Sequence, residues 1–148
     1  MSEEYLSLMD LFSGCGGVAF GLHQIGFKTI LANELHPDPA ESFRQNLIPD
    51  APELMKVGPI QTMLSNKALD KFGFKQEDVT CIAGGPPCQG FSMAGKGEFD
   101  DIRNQLFTEY LRVVKRVKPK SVIFENVPGF ANRYRMGLRE KLVSALEK

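Results

Sequence analysis

At 148 residues with 43% hydrophobic content, the chain can close one core and is too short for two ordinary domains. No apolar run approaches the roughly 20 residues needed to cross a membrane, and the Met-Ser-Glu-Glu start has no basic region leading into an apolar one, so the expectation is a cytoplasmic protein. Formal net charge is zero, which argues against a strong autonomous binder of polyanions, although residues 111 to 148 hold 10 Lys/Arg against 3 Asp/Glu.

Short apolar runs alternate with helical periodicity, the pattern of a parallel sheet wrapped by helices. In chain order, the first strand is expected over Leu6 to Phe12 and the first helix from about Gly17 to Ile25, stopped by Gly26. A second strand follows over Thr29 to Asn33. The helix after Pro37 and Pro39 carries Ala40, Phe43 and Leu47 on one face. Ile60, Met63, Leu64 and Ala68 share one helical spacing and predict a single third helix. A third strand is expected over Val79 to Gly84, and a helix with Phe107, Leu111, Val114 and Val117 runs up to Pro119. A fourth strand covers Ser121 to Asn126, and a last helix is expected near Gly137 to Glu147.

Ligands of an open parallel sheet gather where loops leave the carboxyl ends of the strands, which selects residues 12 to 17, 33 to 35, 84 to 92 and 125 to 129. The first of these is glycine-rich, Phe12-Ser13-Gly14-Cys15-Gly16-Gly17, and runs from a strand into a helix. Glycines there let a ligand approach the backbone, while a tight turn needs them for steric reasons alone. Glu34 lies 18 residues after Gly16. That is close to the offset of about 20 at which an acidic side chain accepts from ribose hydroxyls, so the pair points to a nucleoside-containing cofactor; a surface glutamate is the ordinary alternative.

The third loop, Gly84-Gly85-Pro86-Pro87-Cys88-Gln89-Gly90-Phe91-Ser92, stiffens the chain with two prolines immediately before a cysteine. A cysteine presented this way is a candidate nucleophile. The other reading, a small buried hydrophobe, suits Cys81 and Cys15. Three cysteines without a CxxC spacing argue against both a disulfide framework and a zinc site. Glu125 follows Cys88 by 37 residues, at the end of the next strand. In an apolar pocket such a carboxyl holds a proton near neutrality; in water it does not.

Phe12 to Gly17, Gly85 to Ser92 and Glu125-Asn126-Val127 resemble the cofactor, nucleophile and acid motifs of the cytosine-5 DNA methyltransferases, in that family's order and near its spacing. Asp101-Ile102-Arg103-Asn104-Gln105-Leu106-Phe107 resembles a further motif, so the likeness covers nearly the whole chain. It implies an α/β, Rossmann-like S-adenosylmethionine-dependent methyltransferase fold, an open, mostly parallel sheet with helices on both faces, here incomplete. Residues 1 to 148 would form the cofactor-binding and catalytic-cysteine part.

By the same resemblance, Cys88 adds to C6 of a flipped cytosine and Glu125 binds N3 and the exocyclic amine. C5 then takes the methyl group of S-adenosylmethionine, leaving S-adenosylhomocysteine. Phe12, Ser13, Gly14 and Gly16 line the methionine part of the cofactor and Glu34 holds the ribose. Ile60 packs on the adenine, Leu106 lies near the adenosine, and Pro87 shapes the wall between cofactor and base. No metal is implied. The expected partners are double-stranded DNA and a second polypeptide carrying the target recognition region, in a restriction-modification setting.

Two departures stand out. Where the family often has Gly-Asp-Ile, this chain has Gly58-Pro59-Ile60, and proline offers no side-chain acceptor. The chain also ends soon after the acid motif, so the expectation is a truncated enzyme or one half of a split one. A silent cofactor-binding or interaction module, and the same chemistry on tRNA, remain the alternatives.

Overall fold

The computed structural model describes residues 5–75, 78–87 and 102–125, apart from the side chains of 102–104, together with residues 140, 143, 144 and 147. Among them are five strands, β1 (Leu6–Leu11), β2 (Phe27–Glu34), β3 (Met55–Val57), β4 (Cys81–Gly84) and β5 (Ser121–Phe124). All pair in parallel, in the order β3-β2-β1-β4-β5. Five helices connect them, α1 (Gly17–His23), α2 (Pro37–Leu47), α3 (Ile60–Met63), α4 (Asn66–Phe72) and α5 (Ile102–Val117), with one turn of 3-10 helix at Pro52–Leu54. This is the parallel sheet wrapped by helices expected from the alternating pattern, in the Rossmann-like form that the resemblance implies.

Period-2 alternation sorts the strand residues between two cores. Met9, Leu11, Leu31 and Ile82 face one side, where Ile60, Leu64, Leu69, Tyr110, Val113, Val114 and Val117 from α3, α4 and α5 cover them. Leu8, Ala32, Cys81 and Ala83 face the other, under Ala19 of α1 and Ala40 and Phe43 of α2. In α5, buried Phe107, Tyr110, Val114 and Val117 fall three or four positions apart, one stripe of the helix. Each such side chain stabilises by about 1.5–3 kcal/mol when fully buried. Tyr110 also reaches the carbonyls of Ile82 and Ile123 at 3.4 Å each, linking α5 to β4 and β5.

Several expectations need correction. The stretch from Ile60 to Ala68 is two helices, because Ser65 accepts from the Ala68 amide at 3.3 Å and starts α4 as its N-cap. The β3 strand was not foreseen: three residues carry too little alternation to register. Residues 24 and 25 fall outside α1, although Gly26 does turn left-handed (φ 93°) and donates to the His23 carbonyl. Cys15 is exposed, not a buried hydrophobe, since the turn after β1 points it outward; Cys81 is buried. Of the expected last helix, Glu140, Val143 and Ser144 are described and helical, while Glu147, at its expected end, is described outside the helix, its amide donating to the Val143 carbonyl at 3.1 Å. No helix among the described residues is long and apolar enough to cross a membrane.

Candidate cofactor and nucleophile site

Chain order reverses direction between β1 and β4: β2 and β3 lie on one side of β1, β4 and β5 on the other. Ligands of such sheets collect at that switch point, beyond the carboxyl ends of the strands. A cavity of about 530 Å³ opens there, lined by Phe12 after β1, Glu34, Leu35 and His36 at the end of β2, Pro59, Ile60 and Gln61 after β3, Gly85 and Pro87 after β4, and Leu106 of α5. Its walls are mostly apolar with a few polar groups, and its volume lies within the range of about 300–1,000 Å³ typical of small-molecule sites.

The turn after β1 is held under strain. Phe12 adopts φ 56°, a left-handed conformation costly for a residue with a Cβ, and Gly14 and Gly16 follow at φ 56° and 94°. Three contacts fix it: the Ser13 amide donates to the Asn33 carbonyl at 3.0 Å, the Gly16 amide to the Ser13 carbonyl at 2.9 Å, and the Gly14 amide to Glu34 Oε2 at 2.9 Å. Glu34 Oε1 accepts from the His36 amide, also at 2.9 Å. Glu34 therefore braces the glycine turn with both oxygens while lining the cavity, and its remaining lone pairs can still accept from a ligand.

Gly16 and Gly14 differ in what they require. A Cβ on Gly16 would come within 2.2 Å of Leu47 Cδ1 and 2.7 Å of Phe43 Cδ2, so this glycine makes room for α2 rather than for a ligand. Gly14 has open space around it. Neither Ser13, Gly14 nor Gly16 lines the cavity, whereas Phe12, Glu34, Ile60, Pro87 and Leu106 do.

Beneath the turn lies Asp10, 1% exposed. It accepts from the Ala19 amide in the first turn of α1, while Oδ2 has no hydrogen-bond partner. Burial pushes this carboxyl up to about 7, against the smaller lowering effect of the Ala19 amide. Ser13 Oγ is likewise buried without a partner. Sequence reasoning passed over Asp10, although an acidic residue inside an apolar strand pattern is a readable signal. It also passed over Asn33, whose side-chain amide donates to the carbonyls of Lys56 and Gly58 and so ties the β3 loop to the cavity floor.

At the other end, the Glu125 amide continues the β4–β5 pairing by donating to the Gly84 carbonyl at 3.0 Å. Its carboxylate lies over Gly85: a Cβ on that glycine would stand 2.6 Å from Glu125 Oε2. Glu125 itself is exposed. Cys88 lies outside the described residues and follows Pro87, which lines the cavity, in sequence. No group of three or more His, Cys, Asp or Glu among the described residues could hold a metal ion.

Residues 6–148 match the family model of the C-5 cytosine-specific DNA methylases. The chain belongs to that family. It is 42% identical over 125 residues to the Type II methyltransferase M1.HphI of Haemophilus parahaemolyticus, covering 82% of this chain and 32% of the relative. To the Type II methyltransferase M.AquIA of Picosynechococcus sp. it is 40% identical over 126 residues, covering 84% and 50%. The chain thus spans about a third to a half of the length of these curated relatives. Among solved structures, a prophage-encoded E. coli protein described as a DNA modification methyltransferase superposes with a TM-score of 0.74 at 32% identity, covering 96% of this chain and 38% of that one. A TehB-like S-adenosylmethionine-dependent methyltransferase from Corynebacterium glutamicum, at TM-score 0.56 and 15% identity, shares the fold.

Proposed function

We propose that this chain carries the methyl-donor site and the nucleophile for methylation of cytosine C5 in DNA, with S-adenosylmethionine as the donor. The observation that carries this reading is the meeting of Phe12, Glu34, Ile60, Pro87 and Leu106 around one cavity, from five separate stretches of sequence. The cavity's size and apolar walls suit a nucleoside, and Glu34 offers an acceptor for ribose hydroxyls. Bound there, the donor supplies an electrophilic methyl group on its sulfonium.

In this reading Cys88, as thiolate, forms a bond to C6 of the cytosine, and the electron pair displaced onto the ring is stabilised by a proton that Glu125 holds at N3. C5 becomes nucleophilic and would take the methyl group, whose bond to sulfur breaks to leave a neutral thioether. Loss of the C5 proton to a base then expels the Cys88 thiolate and restores the aromatic ring. Gly85 leaves the space beside β4 that the Glu125 carboxylate needs. Ser13, Gly14 and Gly16 shape the turn under the donor's methionine part.

The proposal includes a requirement for a target recognition region supplied by further sequence or by a second polypeptide, because base flipping costs a few kcal/mol that groove and phosphate contacts must offset. The test is a tritium-transfer assay on duplex DNA and on tRNA, with the chain alone and with a candidate C-terminal half. Transfer to C5 of DNA cytosine is expected only in the complemented reaction, and Cys88→Ser is expected to abolish it while S-adenosylmethionine binding persists. Transfer to tRNA alone would overturn the DNA assignment, and unchanged turnover in Cys88→Ser would overturn the nucleophile.

A further inference from the structure

The order of strands gives the cavity a direction. Its lining comes from the loops after β3, β2, β1 and β4, which succeed one another across the sheet in that spatial order. A nucleoside with its ribose at Glu34, beyond β2, must turn its reactive end toward the β4 loop that leads into Cys88. Its base is then left with the β3 end, where Gly58, Pro59, Ile60 and Gln61 form the wall. This orientation rests on the cofactor reading above.

At that end most of the wall is apolar or featureless. Ile60 is 3% exposed and presents hydrocarbon; Pro59 has neither an N–H nor a polar side chain. Gln61 is exposed, lines the cavity, and its carboxamide makes no hydrogen bond to another described residue. Of the other polar side chains on the lining, Asn33 already donates to the Lys56 and Gly58 carbonyls, and Glu34 and His36 belong to the β2 end and so stand at the ribose position. A primary carboxamide offers one acceptor and two donors in a plane, the complement of adenine's 6-amino group and an adjacent ring nitrogen, to which glutamine pairs with two hydrogen bonds in other settings.

We infer that Gln61 reads the hydrogen-bonding edge of the adenine, supplying from the first turn of α3 the polar contact that Pro59 cannot. Gln61 is thereby a specificity-determining residue for the base rather than a solvated helix side chain. Because it is exposed, its replacement is expected to leave the fold intact.

The probe is S-adenosylhomocysteine, titrated calorimetrically into the chain beside the analogue whose base is purine, lacking the 6-amino group. The unsubstituted chain is expected to prefer the adenine compound by roughly 3- to 10-fold, the scale of one net hydrogen bond. In Gln61→Ala the preference should fall to about 1, with adenine affinity lowered by a similar factor. Gln61→Glu keeps an acceptor for the amino group and should retain part of the preference. Binding with undiminished discrimination in Gln61→Ala would overturn the assignment of Gln61 while leaving the cofactor reading in place. No binding of either compound by the unsubstituted chain would overturn the cofactor reading, and the base assignment with it.

Discussion

The Glu34 carboxylate accepts the Gly14 amide at 2.9 Å, so a side chain at the end of β2 holds a turn that begins at the end of β1. Its other oxygen takes the His36 amide, which fixes the entry to α2 as well. Replacing Glu34 with glutamine puts an NH2 group against one of these two amides and leaves that donor without an acceptor. The cost is expected at about 1–3 kcal/mol, read as a fall in melting temperature of about 2–4 °C per kcal/mol for a chain of this size. A variant that melts within about 1 °C of the parent would remove this bracing role.

Asp10 should leave a pH signature on stability. Its folded-state carboxyl titrates at about 7 against an ordinary 3.8, so between those values the folded protein holds a proton that the unfolded chain has lost. Stability therefore falls as pH rises through that window, by up to about 1.4 kcal/mol per unit from this group, and levels off above it. Asp10→Asn keeps an oxygen for the Ala19 amide and abolishes the titration. Urea unfolding at pH 5 and pH 8 should show the variant gaining on the parent at the higher pH; parallel curves would rule out a buried, titrating Asp10.

The close approach of Gly85 to Glu125 predicts a remote effect on chemistry. Gly85→Ala places a methyl group 2.6 Å from the present position of Glu125 Oε2, so the carboxylate must move. In the complemented enzyme, Glu125→Gln is expected to lower turnover by roughly 10²- to 10⁴-fold, and Gly85→Ala to lower kcat in the same direction with little change in KM for DNA. A Gly85→Ala enzyme with undiminished kcat would show that Glu125 can act from elsewhere.

The cysteines should separate by reactivity. Cys15 is exposed, while Cys81 is buried and burial pushes its thiol up, so little thiolate forms there near neutral pH. Brief maleimide treatment followed by peptide mass spectrometry should find Cys15 modified and Cys81 untouched until the chain is unfolded. Rapid native labelling of Cys81 would contradict its burial on β4 in the core shared with Ala19, Ala40 and Phe43.

The fold was legible where burial and periodicity act together. Leu8 and Ala83 on one face of the sheet, Met9 and Ile82 on the other, follow from alternation, and the α5 stripe through Phe107 and Val117 follows from helical spacing. Where a single side chain competes with the pattern, reading failed. Ser65 interrupts an apolar spacing that continues unbroken through Ala68, because its hydroxyl offers the backbone a new start.

For the site, sequence alone picked out candidates by type: a glycine turn, a carboxylate after the second strand, a cysteine behind two prolines and a glutamate after the last strand, all recognisable from local spacing. Only the tertiary structure decided which of the described ones come together. Strand order brought Phe12, Glu34, Ile60, Pro87 and Leu106 around one cavity and left Gly14 and Gly16 off its lining. Gly16 answers to Leu47 and Phe43, and Asp10 meets the Ala19 amide from below. Such contacts join residues separated by 9 to 30 positions or more, and no local spacing encodes them; they depend on which strand lies beside which.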